Sequence, residues 1–88
     1  MKMIIAIIRD QDNDAVSHAL IGASFRVTRI ASSGGFLRRG SSTLMIGVAE
    51  ERVDEGIQII RDHTTIPDDP GQKRATLFVL DVKDFTQI

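Results

Sequence analysis

Apolar residues change period several times along this chain. Met1 to Ile8 is an almost unbroken, β-branched-rich run that reads as a buried first strand. The polar cluster Arg9 to Asp14 follows, with several N-cap candidates and carboxylates suited to a helix start, and it predicts a helix from near Asp12. Val16, Ala19, Leu20 and Ala23 then recur at helical spacing, with Asp14 and Ser17 on the wetter side. From Phe25 to Ala31 the period falls back to two, which puts Phe25 and Val27 on one face and Arg26, Thr28 and Ile30 on the other. Thr43 to Val48 is a further strand in which Leu44, Ile46 and Val48 alternate with Thr43, Met45 and Gly47. A glycine there marks a bulge, a close approach of another group, or an ordinary strand position. Ala49-Glu50-Glu51 opens a second helix with a stripe of Val53, Ile57, Ile60 and Thr64, Ile59 beside it, and Arg61 and His63 near its end to complement the dipole. Pro67 and Pro70-Gly71 break the chain before a last strand within Arg74 to Val82, apolar through its centre.

The order β-α-β-β-α-β is the split βαβ pattern of an α+β, ferredoxin-like fold: a four-stranded antiparallel sheet with two helices on one face. That leaves one sheet face uncovered. Because the strands carry apolar residues on both sides, the free face is expected to meet other copies of the chain. The 88 residues, 42% of them hydrophobic, suit a single domain over 1–88 with a modest core that is marginal alone. Cysteine is absent, so disulfides and thiolate metal sites are excluded. His18 and His63 have no second ligand at suitable spacing, so no metal is expected and oligomerisation is the favoured source of extra burial. With 11 basic against 12 acidic residues and no dense basic stripe, a nucleic-acid partner is not expected. The opening apolar run lacks a small-residue cleavage site, and nothing approaches a membrane span of ~18 residues. The expectation is a soluble, cytoplasmic protein.

Residues 31–43 hold the densest chemistry: Gly34, Gly35 and Gly40, with Phe36, Arg38 and Arg39 between two strands. Glycine lets backbone N–H groups approach an anion, Phe36 offers a stacking face, and the arginines supply positive charge, a combination suited to a nucleotide. The same glycines also suit a plain hairpin connector. Catalysis finds little support. There is no Cys nucleophile or persuasive Ser-His-Asp arrangement, and Asn13 is poorly placed to position a water. Asp10, Asp12 and Asp14 read as caps and dipole partners rather than a cation site.

Several motifs now occur in order: Met1 to Ile7 followed by Asp10-Gln11-Asp12, then Phe25-Arg26-x-Thr28, Gly34-Gly35-Phe36-Leu37-Arg38, Gly47-Val48, Arg52-Val53-Asp54-Glu55 and Ala75 to Leu80. Together they closely resemble the PII-like cyclic-di-AMP receptor family of the nitrogen regulatory PII superfamily. The resemblance implies a non-enzymatic signal receptor: a homotrimer that binds cyclic di-AMP between neighbouring subunits, uses no other cofactor, and relays occupancy through its loops to a downstream protein. It places the ligand against Arg26, Thr28, Gly34, Gly35, Phe36, Leu37, Ser41, Gly47, Phe78 and Gln87. Two departures stand out. Only about Thr64 to Lys73 is available where members carry a long loop before the last strand, and Ser24 and Ser41 stand where nucleotide-binding members have Asn. A serine hydroxyl replaces an amide that both donates and accepts, which costs on the order of 1 to 3 kcal/mol at a base edge. The alternatives are a trimer that binds another adenine nucleotide, or a structural trimer that has lost nucleotide binding.

Overall fold

In the computed structural model, which describes residues 1–33 and 40–88, the most apolar segment is also the most central. Strand β1 (Lys2–Arg9) runs between β3 (Ser41–Val48) and β4 (Ala75–Asp81), and β2 (Arg26–Ser33) pairs with the outer side of β3. All three pairings are antiparallel, giving the order β2-β3-β1-β4. Helices α1 (Asn13–Gly22) and α2 (Val53–His63) each follow a short 3₁₀ turn, Asp10–Asp12 and Glu50–Arg52. This is the ferredoxin-like α+β arrangement expected from the element order.

The register explains the core. Ile4 lies opposite Ile46 and Val79, and Ala6 lies opposite Leu44 and Leu77, so period-two alternation sends one set of side chains toward the helices. Ile4, Ala6, Ile8, Leu44, Ile46 and Val48 are buried there with Val16 and Leu20 of α1, Phe25 and Ile60 of α2. Helix α2 comes close enough to β1 that a Cβ built on Gly56 would stand 3.2 Å from Ile4 Cδ1.

Helix α1 stops through its backbone. Ser24 adopts φ 71°, its N–H donates to the Ile21 carbonyl at 2.9 Å, and the Phe25 N–H donates to the Leu20 carbonyl at 2.9 Å. These paired bonds form a Schellman termination, and burial of Phe25 and Leu20 supplies its usual hydrophobic contact. Glycine or asparagine fits the left-handed position best, so the asparagine expected at Ser24 has a backbone reason apart from any ligand.

Several expectations are corrected. Asp12 does not open α1 as a side-chain cap; it is 2% exposed, and its carboxylate accepts a hydrogen bond from Thr65 Oγ1 at 3.1 Å instead. Strand β3 begins at Ser41, two positions before the predicted Thr43, and β2 runs on to Ser33. The alternation of β2 breaks at Ile30, because Arg29 pairs with Leu44 and Ala31 with Thr43, leaving Ile30 as the extra residue of a bulge. Gly47 itself stays in register between Met3 and Arg26, and the close approach there comes from Met1, whose Cε would lie 3.1 Å from a Cβ at this position.

Candidate functional site

The sheet face away from the helices carries most of the described candidates. Arg26 pairs with Gly47 and Thr28 with Met45, so Arg26 and Thr28 share that face at the β2 edge, as the period of two predicts. Both are exposed. Gln87 returns from the far end of the chain, and its Oε1 accepts a hydrogen bond from Arg26 Nη1 at 3.0 Å. A cleft of about 650 Å³ opens here, bordered by Met1, Arg26, Gly47, Val48, Ala49, Glu50 and Glu51. Arg26 supplies its cationic wall and the two glutamates an acidic one, so an anion entering the cleft is drawn to the Arg26 side.

Phe78 stands elsewhere. It pairs with Ile5, which pairs with Met45, which pairs with Thr28, so Thr28 and Phe78 end one cross-strand row at opposite edges of the sheet. Three inter-strand steps separate them, roughly 14 Å. Phe78 is 51% exposed. Ser41 begins β3, half-buried and paired with Arg9 and Ser33, six positions and about 20 Å along the strand from Gly47. Gly34, Gly35, Phe36 and Leu37 lie outside the described residues. The structure therefore unites Arg26, Thr28, Gly47 and Gln87, and sets Phe78 and Ser41 apart from them within one chain.

A second cluster at the Gly40 end of β3 was not foreseen as a site. A cleft of about 530 Å³ is lined by Arg9, Asp10, Gln11, Gly40, Asp68, Asp69 and Gln72. The Asp10 N–H donates to the Gly40 carbonyl at 3.0 Å, and its Oδ1 accepts from buried Ser42 Oγ at 2.6 Å. Next along the chain, Arg9 Nη2 and Gln11 Nε2 donate to Thr65 Oγ1 at 2.6 and 3.0 Å, while Arg9 also donates to the Thr65 carbonyl. The only sequence signal was the polar run Arg9-Asp10-Gln11-Asp12, which reads equally as a helix start.

Two charge pairs serve the scaffold. Arg52 donates from Nε and Nη2 to Glu55 at 2.9 and 3.0 Å, donates to the Ala23 carbonyl at 2.9 Å, and lies 4.1 Å from the centroid of the Phe25 ring. It clamps the end of α1 to the start of α2, and the hydrogen bond from Arg52 holds the Glu55 carboxyl below its ordinary pKa. Lys2 pairs with Asp81 across β1 and β4, so hydrogen bonding raises the Lys2 pKa and lowers that of Asp81. Among the described residues no group of three or more His, Asp or Glu could hold a metal ion, and no helix is long and apolar enough to cross a membrane.

The fold and its surface define an α+β, ferredoxin-like domain with an arginine-edged cleft beside an exposed apolar sheet face. Residues 1–69 match the family described as cyclic-di-AMP receptor, and the chain belongs to that family. Phe78 and Gln87 fall beyond the matched span. The chain is also similar to a functionally unknown protein from Pediococcus pentosaceus ATCC 25745, whose crystal structure superposes with a TM-score of 0.78 at 35% sequence identity, covering 99% of this chain and 96% of that one.

Proposed function

We propose that this protein is a PII-like receptor that binds cyclic di-AMP in clefts between the subunits of a homotrimer and signals occupancy through its loops without catalysing a reaction. The observation that carries the reading is the convergence of Arg26, Thr28, Gly47 and Gln87 at one sheet edge, in a chain of the cyclic-di-AMP receptor family. Arg26 offers a charge-assisted hydrogen bond to phosphate and Thr28 a hydroxyl on the same face. The Gly34 to Leu37 segment supplies backbone donors and an aromatic face, and Ser41 a single hydroxyl.

The placement of Phe78 supports subunit contact. A ligand held at the Arg26 edge is out of reach of Phe78 in the same chain and within reach of a neighbour's opposite edge. Exposed Phe78, Leu80 and Ile7, all on the open face, give that neighbour an apolar surface to bury.

Titration calorimetry with cyclic di-AMP, cyclic di-GMP, ATP and AMP tests the ligand, and sedimentation velocity tests the trimer. Cyclic di-AMP should give the tightest binding, and Arg26→Ala should weaken it by roughly ten- to a hundredfold, the worth of one charge-assisted bond. Absence of heat from cyclic di-AMP at high micromolar concentration refutes the ligand. A tighter response to ATP or AMP reassigns the cleft to another adenine nucleotide.

A further inference from the structure

Four consecutive residues, Arg9 to Asp12, touch both segments that border the second cleft. On one side Asp10 holds the start of β3 through the Gly40 carbonyl at 3.0 Å and the Ser42 hydroxyl at 2.6 Å. On the other, Arg9, Gln11 and Asp12 all converge on the hydroxyl of Thr65, the second residue beyond α2. That hydroxyl accepts two hydrogen bonds and donates its one proton to buried Asp12, so its capacity is filled. Arg9 adds a bond to the Thr65 carbonyl and an ion pair of 3.7 Å with Asp12. Farther along, Asp69 accepts from the N–H groups of Gly71 and Gln72 at 2.9 Å each, closing a turn in the stretch that leads to β4.

We infer that the Arg9–Asp12 turn is a mechanical link that couples the start of β3, through Gly40, Ser42 and Asp10, to the α2–β4 loop held at Thr65. The inference rests on the proposed cyclic-di-AMP site and adds the route by which its occupancy leaves that site. Ser42 and Thr65 share no direct bond; they are joined through one short 3₁₀ turn at the end of the central strand. A displacement of the β3 start moves the Asp10 backbone and carboxylate together, because both are bonded to it. The neighbouring Arg9, Gln11 and Asp12 must then shift against Thr65. The short loop of this chain suits such a route, since a displacement at Thr65 reaches β4 over only nine intervening residues.

The test perturbs one end and reads the other, by hydrogen–deuterium exchange of the full chain with and without cyclic di-AMP. In the wild type, cyclic di-AMP should slow exchange across 64–73 by at least about threefold. Ser42→Ala and Thr65→Val should bind cyclic di-AMP within about threefold of wild type yet lose most of that response, while Thr65→Ser should retain it. A full response in Ser42→Ala overturns the inference, as does a wild type that binds without slowing this segment. Loss of binding in Ser42→Ala also overturns it, because Ser42 would then belong to the site itself. Should the wild type give no heat with cyclic di-AMP, the functional proposal fails separately, and the link is read without ligand. Ser42→Ala should then speed exchange at Thr65 and Ile66, and Thr65→Val should speed it at the Asp10 amide; unchanged rates at both places overturn it.

Discussion

The two faces of the sheet carry similar apolar side chains in opposite surroundings. Toward the helices Ile4, Ala6, Leu44 and Ile46 are 0% exposed, whereas on the other side Ile7, Phe78 and Leu80 are 37%, 51% and 46% exposed. In β1 alternate residues of one apolar run contribute to both sets, so composition does not separate them. The covered face supplies the core of the chain. The open face carries Arg26, Thr28 and Gly47 in the same cross-strand rows as Ile5, Phe78 and Leu80, placing the binding candidates on the surface that still has apolar area to bury. Burying one such side chain contributes about 1.5 to 3 kcal/mol, enough for a few of them to drive association.

The comparison breaks most sharply at Leu44. Leu44→Ala opens a cavity under both helices and should lower the free energy of unfolding by about 2 to 5 kcal/mol, a large part of what a domain of this size possesses. Urea denaturation reads the change, and a near-normal midpoint would mean that the covered face is not the core. In the proposed trimer, Phe78→Asp on the opposite face should leave the circular dichroism spectrum intact and weaken self-association at least about tenfold, because a carboxylate then has to be buried at the contact. Sedimentation velocity over a concentration series measures that loss. An unchanged oligomer removes Phe78 from the interface.

Different parts of this molecule were legible in the sequence to different depths. The covered face followed from Leu44, Ile46 and Val48 alternating in β3 and from the Val53, Ile57 and Ile60 stripe of α2, because local periodicity records which side is dry. Arg26, Thr28 and Gly47 could be set on one face for the same reason. The bulge at Ile30 is marked locally only by the adjacent polar pair Thr28-Arg29, which interrupts the alternation without saying which residue is extra, and pairing with β3 identifies it. Asp12 looked like a helix cap by its neighbours, yet its partner Thr65 lies 53 positions away. The bond between Arg26 and Gln87 spans 61 positions, and Gln87 entered through family resemblance rather than any local pattern. Phe78 was recognisable as a strand residue, but its separation from Arg26 follows from the strand order, which no single segment encodes.

A smaller change sharpens the covered side at its boundary, where α1 turns into β2. Ser24→Gly should raise stability by about 1 kcal/mol, because glycine adopts the left-handed position without the Cβ penalty, and part of that gain is returned as unfolded-chain entropy. Ser24→Asn should gain less while keeping the same turn. Denaturation midpoints rank the three variants; a loss with glycine would show that the Ser24 side chain outweighs its strained backbone. Calorimetry on Ser24→Asn then separates backbone from ligand effects: stabilisation without tighter nucleotide binding marks this position as a cap.

The smallest effect lies at the edge where β1 meets β4. Hydrogen bonding to Lys2 lowers the Asp81 pKa, so its contribution is present above the pKa of the unfolded carboxylate and disappears as pH falls through the lowered folded value. Lys2 is shifted the other way, upward, so its share is complete below the unfolded lysine pKa and is lost as pH rises through the raised folded value. Between those limits both groups favour the fold, weakly, since the pair is exposed and screened by salt. Asp81→Asn should therefore melt slightly below the wild type at neutral pH, with the gap closing in acid, where wild-type Asp81 is itself protonated. Molar salt should narrow the neutral-pH gap as well. A gap that persists in acid and in salt assigns the loss to packing rather than to charge.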